Sequence, residues 1–109
     1  MSKSAPRIND NDRRWCRALG RTVVQRRRYL NLTQEDLAPR LELSVSALSV
    51  IERGTVATNI AVVIRLARAL ELSLPEFWVS VGLNFESLYG REYEPARLGR
   101  PSASAKLAC

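Results

Sequence analysis

The sequence predicts an all-α fold of five helices, and three observations support this. Apolar residues recur at spacings of three and four in five segments, which places them on one side of each helix. Residues that favour helix N-caps, such as serine, threonine and asparagine, precede these segments. No segment shows the period of two that is typical of a half-buried strand. With 109 residues, 46% of them apolar, the chain has room for one domain with a modest core.

The first helix is predicted to be long and amphipathic, with a cap at Asn11 or Asp12 and an end near Leu30. Its apolar side chains fall near one side: Trp15, Leu19, Val23 and Leu30. Residues 1–11 are polar and contain a proline, so we expect a flexible arm there. Asn31 follows the helix, and asparagine tolerates the left-handed conformation that ends helices.

The second and third helices are predicted to be short and to be joined by a tight turn. Thr33 can cap the second helix, which runs from Gln34 to about Leu41. Ser44 can cap the third helix, which ends at Gly54 because glycine favours the left-handed C-terminal position.

The last two helices are also recognised by their caps. Thr58 or Asn59 can cap the fourth, whose inward residues follow an i, i+3, i+7 pattern: Ile60, Val63, Leu66, Ala67 and Leu70. Ser73 and Glu76 have the spacing of a capping box, so the fifth helix begins there. The helical pattern weakens at Gly82.

Three segments follow from these patterns. Residues 1–11 form the arm, residues 12–82 the helical domain, and residues 83–109 a C-terminal extension. The extension is predicted to offer a dimer contact and then to become a disordered tail, since residues 90–109 are rich in proline, glycine, serine and alanine.

The charge of the chain favours an anionic partner. Lysine and arginine number 17 against 11 acidic residues, and seven arginines without one acid lie between Arg13 and Arg28. Such a run favours nucleic acid or an acidic membrane surface, although a solvated helix face explains it equally well.

The composition argues against several other functions. The chain has no histidine, and Cys16 and Cys109 are too few for a metal site or a disulfide framework. No phosphate-binding glycine loop and no paired carboxylates in an apolar setting are present, so we expect neither an enzyme nor a cofactor or small-molecule ligand. No apolar run approaches a membrane span and no signal peptide is evident, which favours a cytoplasmic protein.

Three blocks between Leu19 and Trp78 resemble the lambda-repressor-like or Xre family of helix-turn-helix DNA-binding domains. They are TQEDLA at 33–38, S-x-S-x-L-S-x-I-E-R-G at 44–54 and LARALELSLPEFW at 66–78. The resemblance implies a sequence-specific transcriptional regulator, a homodimeric repressor that occupies a palindromic operator in double-stranded DNA. It also implies a structural ion pair between Arg27 and Glu52.

The third helix is predicted to face the DNA. At 100° per residue, Leu48, Ile51, Ala47 and Glu52 turn to the core, which leaves four candidates for base contacts: Val45, Ser46, Ser49 and Val50. Relatives often carry Gln, Arg, Asn or Lys here, and hydroxyl and isopropyl groups cannot provide the ~1–3 kcal/mol discrimination of a bidentate contact. Phosphate contacts are predicted for Gln34, Ser44, Arg40, Arg53, Thr55, Thr58 and Asn59.

Exposed valines on this helix leave a second interpretation open. The domain can instead be a protein-interaction module, such as an antitoxin or antiactivator, that has kept the fold and changed its partner.

Two positions depart from the family pattern. Glu42 stands where relatives commonly have glycine, so the turn is expected to be strained or reshaped. Pro39 lies inside the second helix.

A dimer interface is predicted near the fifth helix, because its apolar residues exceed what one helix needs for its own packing. The residues are Phe77, Trp78, Val81, Phe85 and Leu88. Packing within a single core is the alternative, and the sequence does not separate the two.

Overall fold

The computed structural model describes residues 9–90, which form five α-helices and contain no strand. The helices are α1 (Asp10–Tyr29), α2 (Gln34–Arg40), α3 (Val45–Arg53), α4 (Ile60–Ala69) and α5 (Leu74–Tyr89). This confirms the all-α fold and the order of the helices. Most of the predicted arm and tail, residues 1–8 and 91–109, lies outside the described residues.

The helix N-termini lie where the capping residues predicted them, except for α1. Thr33, Ser44, Asn59 and Ser73 cap the other four helices, each accepting a backbone N–H with its side-chain oxygen. The cap of α1 is Asn9, whose Oδ1 accepts from the backbone N–H of residue 12 at 2.7 Å. The predicted cap at Asn11 or Asp12 is therefore wrong, and residues 10 and 11 are helical.

Each of the first four helices ends in a left-handed residue. These residues are Asn31 (φ 59°), Glu42 (φ 60°), Gly54 (φ 72°) and Glu71 (φ 63°). In each case the next N–H bonds a carbonyl five residues back, as in a Schellman motif. The turn at Glu42 thus keeps the backbone that favours glycine and is not reshaped, while α2 continues through Pro39 to Arg40.

The core lies between α1, α5 and the three short helices. Its largest fully buried side chains include Phe77, Phe85, Leu37, Leu41, Leu48, Leu66 and Leu70. The ring of Trp15 on α1 stacks on that of Phe85 on α5 at a centroid distance of 4.0 Å. Because Phe85 is buried, α5 gains enough by continuing past Gly82 to offset the ~1 kcal/mol cost of an internal glycine.

A buried amide fixes α5 against α1. Asn84 is 8% exposed, and its Nδ2 donates to Thr22 Oγ1 at 2.9 Å and to Gln25 Oε1 at 3.0 Å. Since an unpaired buried amide would be costly, this network favours one register between the two helices.

Two glycines allow the end of α3 to lie directly on α1. A Cβ on Gly20 would meet the backbone oxygens of Glu52 and Ile51 at 2.5 and 2.6 Å. A Cβ on Gly54 would lie 2.6 Å from the Cα of Arg17. This contact places the C-terminal turn of α3 beside the arginines of α1.

Candidate nucleic-acid interface

The two helices α2 and α3 are joined by residues 41–44 and packed through buried side chains. Leu37 and Ala38 of α2, Leu41 of the turn and Leu48 of α3 are all buried. The opposite side of α3 is open to solvent, since Ser46 and Arg53 are exposed there. This is the geometry of a helix-turn-helix, in which the second helix is free to enter a groove.

The predicted groove-facing residues do not all project equally. Ser46 is exposed, and Ser49 is half-buried with its Oγ accepting from Arg53 Nη1 at 2.7 Å. Val45, which was predicted to face outward, is half-buried and packs partly against the core. Val50 is half-buried and lines a cavity of about 330 Å³ beside Val56.

A polar network connects the beginning of α2 with the end of α3. The Glu52 carboxylate accepts two hydrogen bonds from the Arg27 guanidinium. Nε donates to Oε2 at 2.7 Å and Nη2 donates to Oε1 at 3.0 Å. The two side chains are only 11% and 5% exposed. Gln34 Nε2 donates to the same Oε1 at 2.8 Å, a contact that the sequence did not reveal. Gln34 is thereby oriented before any ligand arrives.

Several residues predicted to contact phosphates already have partners within the fold. Ser44 and Asn59 accept backbone N–H groups as helix caps, and Thr55 Oγ1 bonds the carbonyl of Val50 at 3.3 Å. The Ser44 hydroxyl and the Asn59 amide can still donate outward, whereas the single hydroxyl hydrogen of Thr55 is already donated to Val50. Thr58 is half-buried, whereas Arg40 and Arg53 are exposed cations at the C-terminal ends of α2 and α3.

Part of the arginine run serves the fold. Arg26 Nε donates to the carbonyl of Leu70 at 2.9 Å, at the C-terminus of α4, and its guanidinium lies over the ring of Tyr29. Arg14 lies over the ring of Tyr89. The sequence could not show these roles, since 44 residues separate Arg26 from the carbonyl that it binds.

The α5 residues predicted to form a dimer interface divide into two groups. Phe77, Val81 and Phe85 are at most 1% exposed within the monomer, so their side chains are unavailable to a second copy and the prediction is wrong for them. The reason is that this face of α5 packs along α1. Leu88 is half-buried, and Trp78 is 44% exposed. Val79 and Leu83, which were not predicted, are 60% and 62% exposed.

The described residues also bear on metal and membrane binding. Within residues 9–90, no group of three or more His, Cys, Asp or Glu side chains could hold a metal ion. In the same range, no helix combines the length and the apolar character needed to cross a bilayer.

Burial, and then the charge of Asp12, raise the pKa of the half-buried Cys16 thiol.

Comparison with known proteins agrees with this geometry. A family model described as helix-turn-helix matches residues 24–77, from the middle of α1 to the first turn of α5. This is a helix-turn-helix DNA-binding domain of the lambda-repressor-like (Xre) family. Domains of this family bind DNA in transcription regulators. Such regulators are typically not enzymes.

The fold of this helix-turn-helix domain is also found among solved structures. One example is the crystal structure of the clp gene regulator ClgR from Corynebacterium glutamicum, similar with a TM-score of 0.66 and 22% sequence identity. The match covers 72% of this chain and 83% of the other. Among curated proteins, none matches the sequence.

Proposed function

We propose that this chain is a dimeric transcriptional repressor that acts by occupying promoter DNA. One observation carries the proposal: the solvent face of α3 is uncovered by any other described element, and its one exposed charged side chain is Arg53. The acid of α3, Glu52, is buried and neutralised by Arg27. A protruding helix with only positive charge on its open face suits the negatively charged groove of a duplex.

Phosphate contacts supply most of the affinity in this proposal. Gln34 and the free N–H groups at the start of α2 would bind one phosphate, with Arg40 and Arg53 binding others. Base contacts fall to Ser46, Ser49 and Val50, which can provide single hydrogen bonds and methyl contacts only. Selectivity then depends on DNA shape and on the spacing of two half-sites.

The dimer needed for two half-sites would form through the exposed apolar face of α5. Trp78, Val79 and Leu83 lie on that face. Trp78 was predicted from the sequence, and Val79 and Leu83 take the place of the buried Phe77, Val81 and Phe85. A symmetric pairing of this face would present two α3 helices to a palindrome.

Selection of bound sequences from random duplex DNA tests the proposal. We expect enrichment of a palindromic site, and binding measured by fluorescence anisotropy should weaken steeply as salt rises. Arg53→Gln should lower the salt slope by about 1, because one phosphate contact is lost. Arg68→Gln, an exposed arginine on the outer side of α4, is the matched control. Binding without salt dependence, or no binding, would contradict the proposal.

The dimer is tested separately by light scattering during gel filtration. Leu83→Arg should give a monomer with unchanged helical content and weaker binding to the selected palindrome. The repressor role predicts that the protein lowers transcription in vitro from a promoter that contains the selected site.

A second candidate function, binding of a protein partner, is favoured by one feature. Val56, Ile60 and Ile64 are 38%, 62% and 41% exposed, and the cavity beside Val56 reaches Val50 of α3. An antitoxin or antiactivator would use this apolar surface. Loss of partner binding in Val50→Asp, together with no salt-dependent DNA binding by the parent chain, would favour it.

A further inference from the structure

A groove lies where the middle of α1 meets the C-terminal turn of α3. The side chains that line it come from three helices: Arg17, Arg21, Val24, Glu52, Arg53 and Leu88. Arg17 and Arg21 belong to the basic run of the sequence, but neither matches a position to which the resemblance assigns a role. In the groove, Arg17 and Arg21 lie beside Arg53, at the edge of the helix-turn-helix surface.

The packing of two glycines fixes the arginines in this position. Gly54 approaches the backbone of Arg17, and Gly20 approaches the carbonyl of Glu52, so closely that neither could carry a side chain without movement. The backbones of α1 and α3 are therefore in direct contact, and Arg17 belongs to that contact.

Within residues 9–90, no acidic side chain balances the positive charge of this groove. Its acid, Glu52, is engaged by Arg27 and Gln34. Arg53 bonds Ser49, a neutral hydroxyl, through Nη1. Arg17 and Arg21 are exposed and have no hydrogen-bond or ion-pair partner within residues 9–90. The remaining guanidinium donors are free for an external anion.

A purely structural role accounts poorly for this arrangement. Cations near a helix C-terminus offset the helix dipole only weakly, which gives little reason for three arginines at the end of α3. Arginines with structural roles in this fold bind carbonyls directly, as Arg26 does at Leu70 and Arg65 at Leu41. Within the described part of the chain, Arg17 and Arg21 make no such bond.

We propose that Arg17, Arg21 and Arg53 form a phosphodiester-binding site that extends the DNA contact from α3 onto α1. The inference rests on the proposed function. Guanidinium groups form bidentate hydrogen bonds with phosphate oxygens, and the aliphatic Val24 and Leu88 can lie against the sugars. Because no base edge is read, the site adds affinity without adding sequence preference.

The experiment compares Arg17→Gln, Arg21→Gln and the double variant with the parent chain on a duplex of mixed sequence. Glutamine retains the aliphatic stem that packs beside Gly54, so the fold should persist, and circular dichroism verifies it. We expect each substitution to lower the slope of log Kd against log salt by about 1 and the double variant by about 2. The base preference found by selection should not change.

The control Arg68→Gln removes the same charge away from the groove. If the Arg17 and Arg21 variants lower the slope no more than this control does, the inference is overturned while the proposed function stands. A change in base preference in these variants would also overturn it. If the parent chain shows no salt-dependent binding, the proposed function fails first, and the inference fails with it.

Discussion

Gln34 at the first position of α2 donates a 2.8 Å hydrogen bond to Glu52 near the end of α3, across 18 residues of sequence. The same Glu52 oxygen also accepts a hydrogen bond from Arg27 Nη2 at 3.0 Å. One carboxylate thus holds three helices in place: α1 through Arg27, α2 through Gln34 and α3 through its own backbone. No other ion pair joins α1, α2 and α3 within residues 9–90, so this carboxylate adds a specific polar link to their apolar packing.

Removal of Arg27 should strongly destabilise the domain. In Arg27→Met the carboxylate of Glu52 stays buried without its counter-charge, and we expect a loss of about 3–5 kcal/mol in the free energy of unfolding. Urea denaturation followed by circular dichroism measures it. Arg28→Met, at the exposed next position, should change the stability by less than about 0.5 kcal/mol. A double variant with Glu52→Leu should recover part of the loss; equal losses in single and double variants would contradict this account.

Removal of the Gln34 side chain should weaken DNA binding and also cost some stability, because its hydrogen bond to Glu52 is lost. A hydrogen bond to a charged group contributes about 1.5–3 kcal/mol, so Gln34→Ala should weaken binding to duplex DNA by roughly tenfold or more. Fluorescence anisotropy measures the change. Glu35→Ala, the next residue and an exposed acid, should bind as well as the parent or better. Unchanged affinity in Gln34→Ala would exclude its predicted phosphate contact.

Local signals in the sequence were enough to predict much of the fold. Helix caps such as Thr33, Ser73 and Gly54 act through atoms three to five residues away, so they can be read without knowledge of the tertiary structure. The hydrogen bonds from Arg26 to Leu70 and from Asn84 to Thr22 join residues that are 44 and 62 positions apart in the sequence. No local pattern encodes such contacts.

The buried face of α5 shows a different limit. Its sequence places apolar residues on nearly every side, so periodicity alone could not separate buried Phe77 and Phe85 from exposed Val79 and Leu83. Packing against α1 makes that distinction. In the same way, the half-burial of Val45 depends on neighbouring helices and not on its position in α3.

Replacement of Glu42 by glycine should stabilise the domain. Glu42 adopts φ 60° at the end of α2, a conformation that costs a non-glycine residue about 1–2 kcal/mol. Because glycine also loses more backbone entropy on folding, we expect a net gain of roughly 1 kcal/mol in Glu42→Gly, seen as a rise of ~4–8 °C in Tm. Glu35→Gly, inside helix α2, should instead lower Tm.

Acid should weaken the fold through its two capping boxes. The backbone N–H of Thr33, and then its hydroxyl, lower the pKa of Asp36 below 3.8, and Ser73 lowers that of Glu76 below 4.5 in the same way. A carboxyl with a lower pKa in the folded state stabilises above its unfolded pKa. That contribution is lost as the pH falls from about 4.5 through the folded values.

The pH dependence is measured as the midpoint of urea denaturation from about pH 7 to about pH 3. Asp36→Asn and Glu76→Gln should flatten the fall below about pH 4.5, since the amides do not titrate. Glu86→Gln, an exposed acid of α5 outside both capping boxes, serves as the control. If the denaturation midpoint falls equally steeply with pH in all variants, groups outside the two capping boxes cause the acid sensitivity.

Two glycines inside helices should respond oppositely to the same substitution. A Cβ at Gly82 meets no atom within 4 Å, so Gly82→Ala should raise the stability by about 0.5–1 kcal/mol, the usual gain within a helix. A Cβ at Gly20 would lie 2.5 Å from a backbone oxygen of α3, which cannot rotate away as a side chain can. Gly20→Ala must therefore separate α1 from α3 and should cost roughly 1–3 kcal/mol. Thermal unfolding of both variants at one protein concentration measures the difference, and a shift of the same sign in both would show that α1 and α3 do not approach as closely as described.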